Sequence, residues 1–153
     1  MRRTTVAAAA ALPLLLAGGL VLVTGCGSGK DKAELSVSGA YMPKPAMDDM
    51  AAAYFTVKND GGKADELTKV TSPLSADITL HTTEGSRMQH SEKLPVPAKG
   101  ELKLAKGGTH LMLGKLSRLP RQGEKVEFTL HFADSAPVKI QVPVESPTYR
   151  PEG

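Results

Sequence analysis

Hydrophobic and polar residues alternate along several short stretches of the chain, and turn-forming residues separate these stretches. The most regular alternation is at 35–41 (LSVSGAY) and 126–132 (VEFTLHF), as expected for strands that bury one face. The turn clusters recur about every 8 to 12 positions, a spacing typical of all-β domains. Seven further runs have strand-like composition: 52–58, 67–71, 77–82, 87–90, 101–104, 110–113 and 138–144. Nine short strands predict an all-β sandwich or Greek-key barrel.

Small and polar residues mark the ends of these predicted strands. Clusters of Gly, Pro, Asn and Asp at 59–62, 95–100, 107–108 and 121–123 predict turns. The chain shows no internal repeat, and its 153 residues suffice for one domain with a real core. We therefore expect a single β domain.

The N-terminus has the pattern of a lipoprotein signal peptide. Arg2 and Arg3 precede an apolar run at 6–23, and Val-Thr-Gly directly precedes Cys26, the only cysteine. Small residues before a cysteine are typical of a lipidation site, and a lone cysteine has no disulfide partner in the chain. An uncleaved membrane-spanning helix is the alternative for the apolar run. Both interpretations place the rest of the chain outside the cytoplasm and attached to the membrane.

These boundaries divide the chain into four parts. The apolar leader ends before the cysteine, a Gly/Ser-rich charged stretch follows it, and a proline-containing segment ends the chain. We expect a signal peptide at 1–25, a flexible tether at 26–33 that starts at lipidated Cys26, a β domain at 34–145 and a flexible tail at 146–153.

Charge and aromatic content limit the classes of partner. Of the 19 basic residues, Arg2 and Arg3 belong to the leader, which leaves 17 against 16 acidic residues and a formal charge of +1. Nucleic-acid binding normally needs a dense basic face. Tryptophan is absent and other aromatic residues are few, so there is little material for stacking on bases. We therefore expect no nucleic-acid partner. We also expect the protein to be a monomer.

The tetrapeptide at 110–113 (HLML) gives the clearest indication of chemical function. On a strand, residues two apart point to the same face, so His110 and Met112 project together while the two leucines point into the core. Glycines on both sides place this short strand near one end of the domain, where partners can reach it. An imidazole and a thioether thus lie side by side on a rigid element.

His81 and Met88 supply a second imidazole and a second thioether from adjacent predicted strands, with 82–85 as the turn between them. Thioethers bind Cu(I) well and zinc or magnesium poorly, so two histidines with two methionines suit Cu(I). The alternative is structural. A single Met in a β protein usually fills the core, and a single His is usually solvated or hydrogen-bonded.

The stretch 81–116 resembles the PCuAC-type family of periplasmic copper chaperones. It contains a histidine, a later methionine, 21 intervening residues at 89–109 and then His-x-Met, with a proline-containing turn at 95–100. Upstream, AYFTVKNDG at 53–61 and DEL at 65–67 are similar to a second stretch typical of the family. The resemblance covers nearly the whole predicted β domain.

The resemblance implies a cupredoxin-like Greek-key β fold that binds one Cu(I) and delivers copper toward the CuA centre in subunit II of cytochrome c oxidase. The family's four ligands correspond to His81, Met88, His110 and Met112. Only six residues, 82 to 87, separate the first histidine from the first methionine, fewer than the family usually has. His90, on the same strand face as Met88, is therefore an alternative to His81 as the fourth ligand.

Three further methionines, Met42, Met47 and Met50, lie in a proline-containing loop predicted at 41–50. They could form a second thioether site for copper or line a surface for a partner. Flexible packing around the loop is the more common use of methionine.

Other classes of function lack residues that they require. A blue copper electron-transfer site needs a cysteine thiolate and a disulfide oxidoreductase needs two thiols, but Cys26 is the only cysteine. No Ser/His/Asp set, carboxylate pair or Gly-rich phosphate loop stands in a recognisable context, so we do not expect an enzyme. The main alternative is a lipid-anchored β-sandwich interaction module without a metal.

Overall fold

The computed structural model describes residues 31–152, and these residues form ten strands and no helix. The predicted signal peptide, the lipidated Cys26 and most of the tether lie outside the described residues. The strands are β1 (Leu35–Pro43), β2 (Met50–Asn59), β3 (Asp65–Thr71), β4 (Ser75–Glu84), β5 (Arg87–Ser91), β6 (Leu94–Val96), β7 (Gly100–Lys103), β8 (His110–Leu116), β9 (Lys125–Phe132) and β10 (Val138–Glu145). The prediction of an all-β domain is confirmed.

All ten strands pair into one sheet that folds around a single core. The order is β5-β4-β8-β2-β1-β10-β9-β3-β6, and β7 also pairs with β2. Strand β1 joins the two halves, because it runs antiparallel to β2 and parallel to β10, where Met42 pairs with Val144. Phe55 and Leu111 from one half share a buried cluster with Phe128 from the other. The sheet therefore folds over so that its two halves enclose one core.

Burial alternates along β8 as the sequence predicts. Leu111 and Leu113 are completely buried, whereas His110 and Met112 are only half-buried on the opposite face. Burying a leucine side chain stabilises the fold by roughly 1.5–3 kcal/mol. The two leucines therefore fix the face on which the histidine and the methionine are presented.

The structure contains one strand more than predicted. Strand β6 lies partly within the segment 95–100, which was predicted as a turn, and the turn itself is confined to its last residues. Leu94 and Val96 are buried and Pro95 is exposed. Proline cannot donate to a strand ladder, but β6 is an edge strand that pairs only with β3, so the missing N–H does not disrupt pairing.

Asp65 at the start of β3 binds the loop that follows β9. The carboxylate is buried and accepts hydrogen bonds from the backbone N–H groups of Glu66 (2.8 Å), Asp134 (3.0 Å) and Ser135 (2.9 Å), and from the Ser135 hydroxyl. Burial raises the pKa of Asp65, but the Ser135 hydroxyl and the three N–H groups outweigh it, so the pKa is lowered overall. The motif DEL at 65–67 thus has a structural role.

The segment predicted as a flexible tail makes one aromatic contact with the domain. The Tyr149 ring lies edge-on to Tyr41 at 5.0 Å, and the Tyr149 N–H donates to the Ser146 carbonyl at 3.0 Å. The boundaries drawn at 34–145 and 146–153 stay predictions. None of the described residues belongs to a helix long and apolar enough to cross a membrane.

Candidate metal centre

The β4–β5 hairpin sets the position of the first two candidate ligands. Its turn consists of Gly85 and Ser86, and Gly85 has φ +62°, which glycine adopts without strain. The turn is therefore shorter than the predicted 82–85. In the resulting register His81 pairs with His90, and Met88 pairs with Thr83 instead of with His81.

Strand β8 completes the arrangement on the other side of β4. His110 pairs with His81, and Met112 pairs with Thr79. Directly opposed residues of antiparallel strands share a face, so all five candidate side chains lie on one face of β5, β4 and β8. The His81 ring stacks on the His110 ring at 5.5 Å, and it meets the His90 ring edge-on at 5.7 Å.

The ring of His110 is held by the backbone. Its Nδ1 lies 2.8 Å from the Gly108 carbonyl oxygen. A carbonyl only accepts, so Nδ1 carries the proton, and in the neutral ring Nε2 is left with a lone pair. This Nε2 lies 3.2 Å from the Sδ atom of Met88. The Nε2 atom on β8 and the Sδ atom on β5, each with a free lone pair, therefore lie close together.

The ring of His81 has a similar support from a side chain. Its Nε2 lies 2.8 Å from the Thr79 hydroxyl, and that hydroxyl donates to the Met112 carbonyl at 3.5 Å. The hydroxyl oxygen can then accept from Nε2–H, and in this tautomer Nδ1 carries the lone pair. The Nδ1 atom is buried without a hydrogen-bond partner. Every other buried side-chain nitrogen or oxygen in residues 31–152 has one. A cation at Nδ1 would relieve this unfavourable burial.

His81 is also kept in the form that binds metals. Burial lowers the pKa of His81, and the charges that His110 and His90 can carry lower it further. A metal ion binds the neutral imidazole and competes with the proton for it. The surroundings of His81 therefore favour a metal over a proton.

Histidines alone do not make a metal site here. Within the described part of the chain, no group of three or more His, Cys, Asp or Glu side chains is arranged to hold a metal ion. His90 and His110 lie on opposite sides of His81, so their backbones are roughly 10 Å apart at the usual strand spacing. A centre on this face needs the thioethers as well, and a mixed imidazole and thioether set suits a soft ion such as Cu(I).

The methionines differ sharply in exposure. Met88 is 53% exposed and Met112 is half-buried beside His110. Met42 was predicted to lie in a loop with Met47 and Met50, but it belongs to β1 and is completely buried in the core. The structure therefore excludes Met42 from any accessible site.

Two supporting groups were not singled out from the sequence. The Gly108 carbonyl accepts from His110 and also from the Thr83 hydroxyl at 3.1 Å. The Thr79 hydroxyl contacts His81. Thr79 lies two residues before His81, so strand alternation could have placed it on the same face. Nothing in the sequence indicates the role of a backbone carbonyl.

Residues 35–144 match the family described as "Putative lipoprotein LpqE-like". A curated relative, "Putative lipoprotein Lxx21020" of Leifsonia xyli subsp. xyli (strain CTCB07), is 33% identical over 159 aligned residues, which cover 95% of this chain and 89% of the relative.

Solved structures with a similar fold include a PCuAC domain and a copper(I)-bound protein. The apo PCuAC domain of PmoF2 superposes with a TM-score of 0.67 and 22% identity, over 76% of this chain and 96% of that domain. The solution structure of CuI-DR1885 from Deinococcus radiodurans gives a TM-score of 0.66 and 28% identity, over 79% of this chain and 85% of that one. The predicted cupredoxin-like fold of the PCuAC type is confirmed.

Proposed function

The chain belongs to the LpqE-like family, and from the donor atoms on β4, β5 and β8 and the likeness to CuI-DR1885 we propose that it is a copper(I) chaperone. One Cu(I) is bound by His81, Met88, His110 and Met112 and is then passed to an acceptor protein. All four donors are neutral in this set, so the complex stays cationic and the ion can be released to a stronger ligand set.

The contact between His110 Nε2 and Met88 Sδ, at 3.2 Å, carries the proposal. The hydrogen bond from Nδ1 to the Gly108 carbonyl directs the lone pair of Nε2 toward the sulfur. Neither atom can donate a proton to the other when the ring is neutral. A soft cation that accepts both lone pairs explains why these two atoms are held so close together.

His81 is a better fourth ligand than His90 in this proposal. Its Nδ1 is buried without a partner, and its ring stacks on His110. His90 is exposed at the edge of the sheet, on the far side of His81 from His110. The cargo is Cu(I) because the structurally similar DR1885, 28% identical to this chain, is described in its Cu(I) form.

Copper binding is tested by titrating the domain with Cu(I) under reducing conditions in competition with a Cu(I) indicator. We expect one tight equivalent for the wild type and a severe loss in the His110→Ala, Met112→Ala double variant. His131→Ala is the matched control, because His131 lies on β9, away from the candidate ligands, and its ring nitrogen contacts the Thr71 hydroxyl at 3.1 Å. If the wild type competes no better than the double variant, a metal-free interaction module is the remaining interpretation.

The proposed location is the outer face of the cell membrane, with a lipid on Cys26. The descriptions of the family and of the Leifsonia relative both name lipoproteins, which supports an anchor. The Cys26→Ser variant should move from the membrane fraction to the soluble fraction. Unchanged membrane attachment would contradict lipidation and favour an uncleaved helix.

The proposed acceptor is the CuA centre in subunit II of cytochrome c oxidase, by resemblance to the PCuAC family. The Cu(I)-loaded protein, acting as a monomer, should transfer copper to a metal-free soluble CuA domain during incubation without oxygen. Copper is then measured in the two proteins after separation. An acceptor that gains no copper would contradict this part of the proposal and leave Cu(I) binding itself intact.

A further inference from the structure

Three methionines of the described chain expose their side chains to solvent. Met42 is completely buried, whereas Met47 is 59% exposed, Met50 38% and Met88 53%. Only one other large hydrophobic residue of the described part, Leu119, is comparably exposed. Met47 and Met50 therefore lie outside the core, where their thioethers are accessible.

Met47, Met50 and Met112 line one apolar groove of about 260 Å³. The strand register explains their proximity. Ala52 pairs with Met112 and Met50 pairs with Gly114 on β2 and β8, so Met50 and Met112 are diagonal neighbours on one face, within reach of long side chains. Their direct partners, alanine and glycine, leave open space beside the two thioethers.

The groove continues into the candidate metal centre through Met112. This methionine lines the groove and also lies on the strand face of His110, two residues away. An ion held by thioethers in the groove is thus adjacent to the imidazole ligands. No other candidate ligand of the metal centre borders the groove.

We propose that Met47 and Met50 form a second, weaker site for Cu(I) that captures the ion and passes it to the histidines through the shared Met112. The proposal rests on the proposed function, because the shared residue is one of its ligands. Transfer is a ligand exchange: bonds from copper to Met47 and Met50 break as bonds to the imidazole nitrogens form. The metal stays Cu(I), and no proton or electron is required.

The local charge is compatible with this site. Lys44 and Lys106 line the groove, and two exposed carboxylates, Asp48 and Asp49, lie in the same loop as Met47. The four formal charges cancel. Selectivity therefore depends on the softness of the thioethers, which favour Cu(I) over hard divalent ions.

The experiment uses Ag(I), a soft monovalent ion, and the domain labelled with carbon-13 in its methionine methyl groups. The first equivalent should shift the methyl signals of Met88 and Met112, and the second should shift those of Met47 and Met50. The buried Met42 is an internal control and should not respond. In the Met47→Leu, Met50→Leu double variant, which conserves apolar volume, the first equivalent should bind as before and the second should be lost.

The possible outcomes distinguish the groove site from the proposed four-ligand centre. If Met88 and Met112 respond while Met47 and Met50 do not, the groove site is wrong and the proposed function stands. If only Met47 and Met50 respond, the groove binds soft ions but the four-ligand centre is wrong. If none of the four responds, both proposals are overturned.

Discussion

The imidazole ring of His81 stacks on that of His110 at 5.5 Å, with their planes 12° apart, at the point where β4 and β8 pair. Both rings sit on paired strands, and each is held by a hydrogen bond to a neighbouring group. Rigid strands position donor atoms more exactly than loops do. The two histidines are therefore oriented before any metal arrives.

The choice between His81 and His90 is the first prediction. His81→Ala should reduce Cu(I) affinity by about tenfold or more, equivalent to ~1.4 kcal/mol, because it removes the buried donor next to His110. His90→Ala should change affinity little, since His90 lies at the exposed edge. The same indicator competition measures both variants. Normal binding by His81→Ala together with weak binding by His90→Ala would reverse the assignment.

The second prediction concerns Met88, whose replacement should weaken copper binding without destabilising the fold. Met88→Leu should lower Cu(I) affinity by about tenfold or more, because leucine has no lone pair. The thermal midpoint should stay near that of the wild type, since Met88 is 53% exposed. Gln89→Leu, on the alternate face of β5, is the matched control. Equal copper binding by Met88→Leu and the control would exclude Met88 as a ligand.

Thr79 is predicted to act through His81 as a positioning residue. Thr79→Val keeps the shape and strand preference of the side chain but removes the hydroxyl that contacts His81 Nε2. Loss of such a supporting hydrogen bond typically reduces metal affinity about 10- to 100-fold. Thr79→Ser should restore binding. If Thr79→Val and wild type bind Cu(I) equally, the hydroxyl does not orient His81.

Asp65 provides a prediction about stability and pH. Its pKa is lowered in the folded protein, below the ordinary value of 3.8, so its stabilising effect is complete above that value and is lost as the pH falls through the folded pKa. Asp65→Asn should unfold at a lower temperature than the wild type at neutral pH. The difference in midpoint should narrow as the pH is lowered from about 4 to about 2. A difference that is constant over this range would contradict the account of Asp65.

The direction of the candidate ligands on strand β8 could be predicted, because strand alternation alone determines it. Alternation places Leu111 and Leu113 in the core, and this placement determines the direction of His110 and Met112. Strand β6 could not be predicted, because Pro95 is typical of turns. It is accommodated only because β6 lies at an edge, and edge position depends on the whole sheet order.

The relation of His81 to Met88 could not be read from their spacing. The two-residue turn at Gly85 and Ser86 pairs His81 with His90 and places Met88 two pairs closer to the turn, opposite Thr83. A different turn length would shift every pair in the hairpin. The contact of Met88 with His110 spans β4, so it depends on how three strands pair and not on any local pattern.

X-ray absorption at the copper edge, on protein loaded with one equivalent of Cu(I), tests the four-ligand centre most directly. The spectrum should show nitrogen and sulfur neighbours together, and the sulfur contribution should fall in Met88→Leu and fall further in the Met88→Leu, Met112→Leu double variant. A copper environment of nitrogen or oxygen only in the wild type, or a sulfur contribution unchanged in the double variant, would contradict the proposed centre.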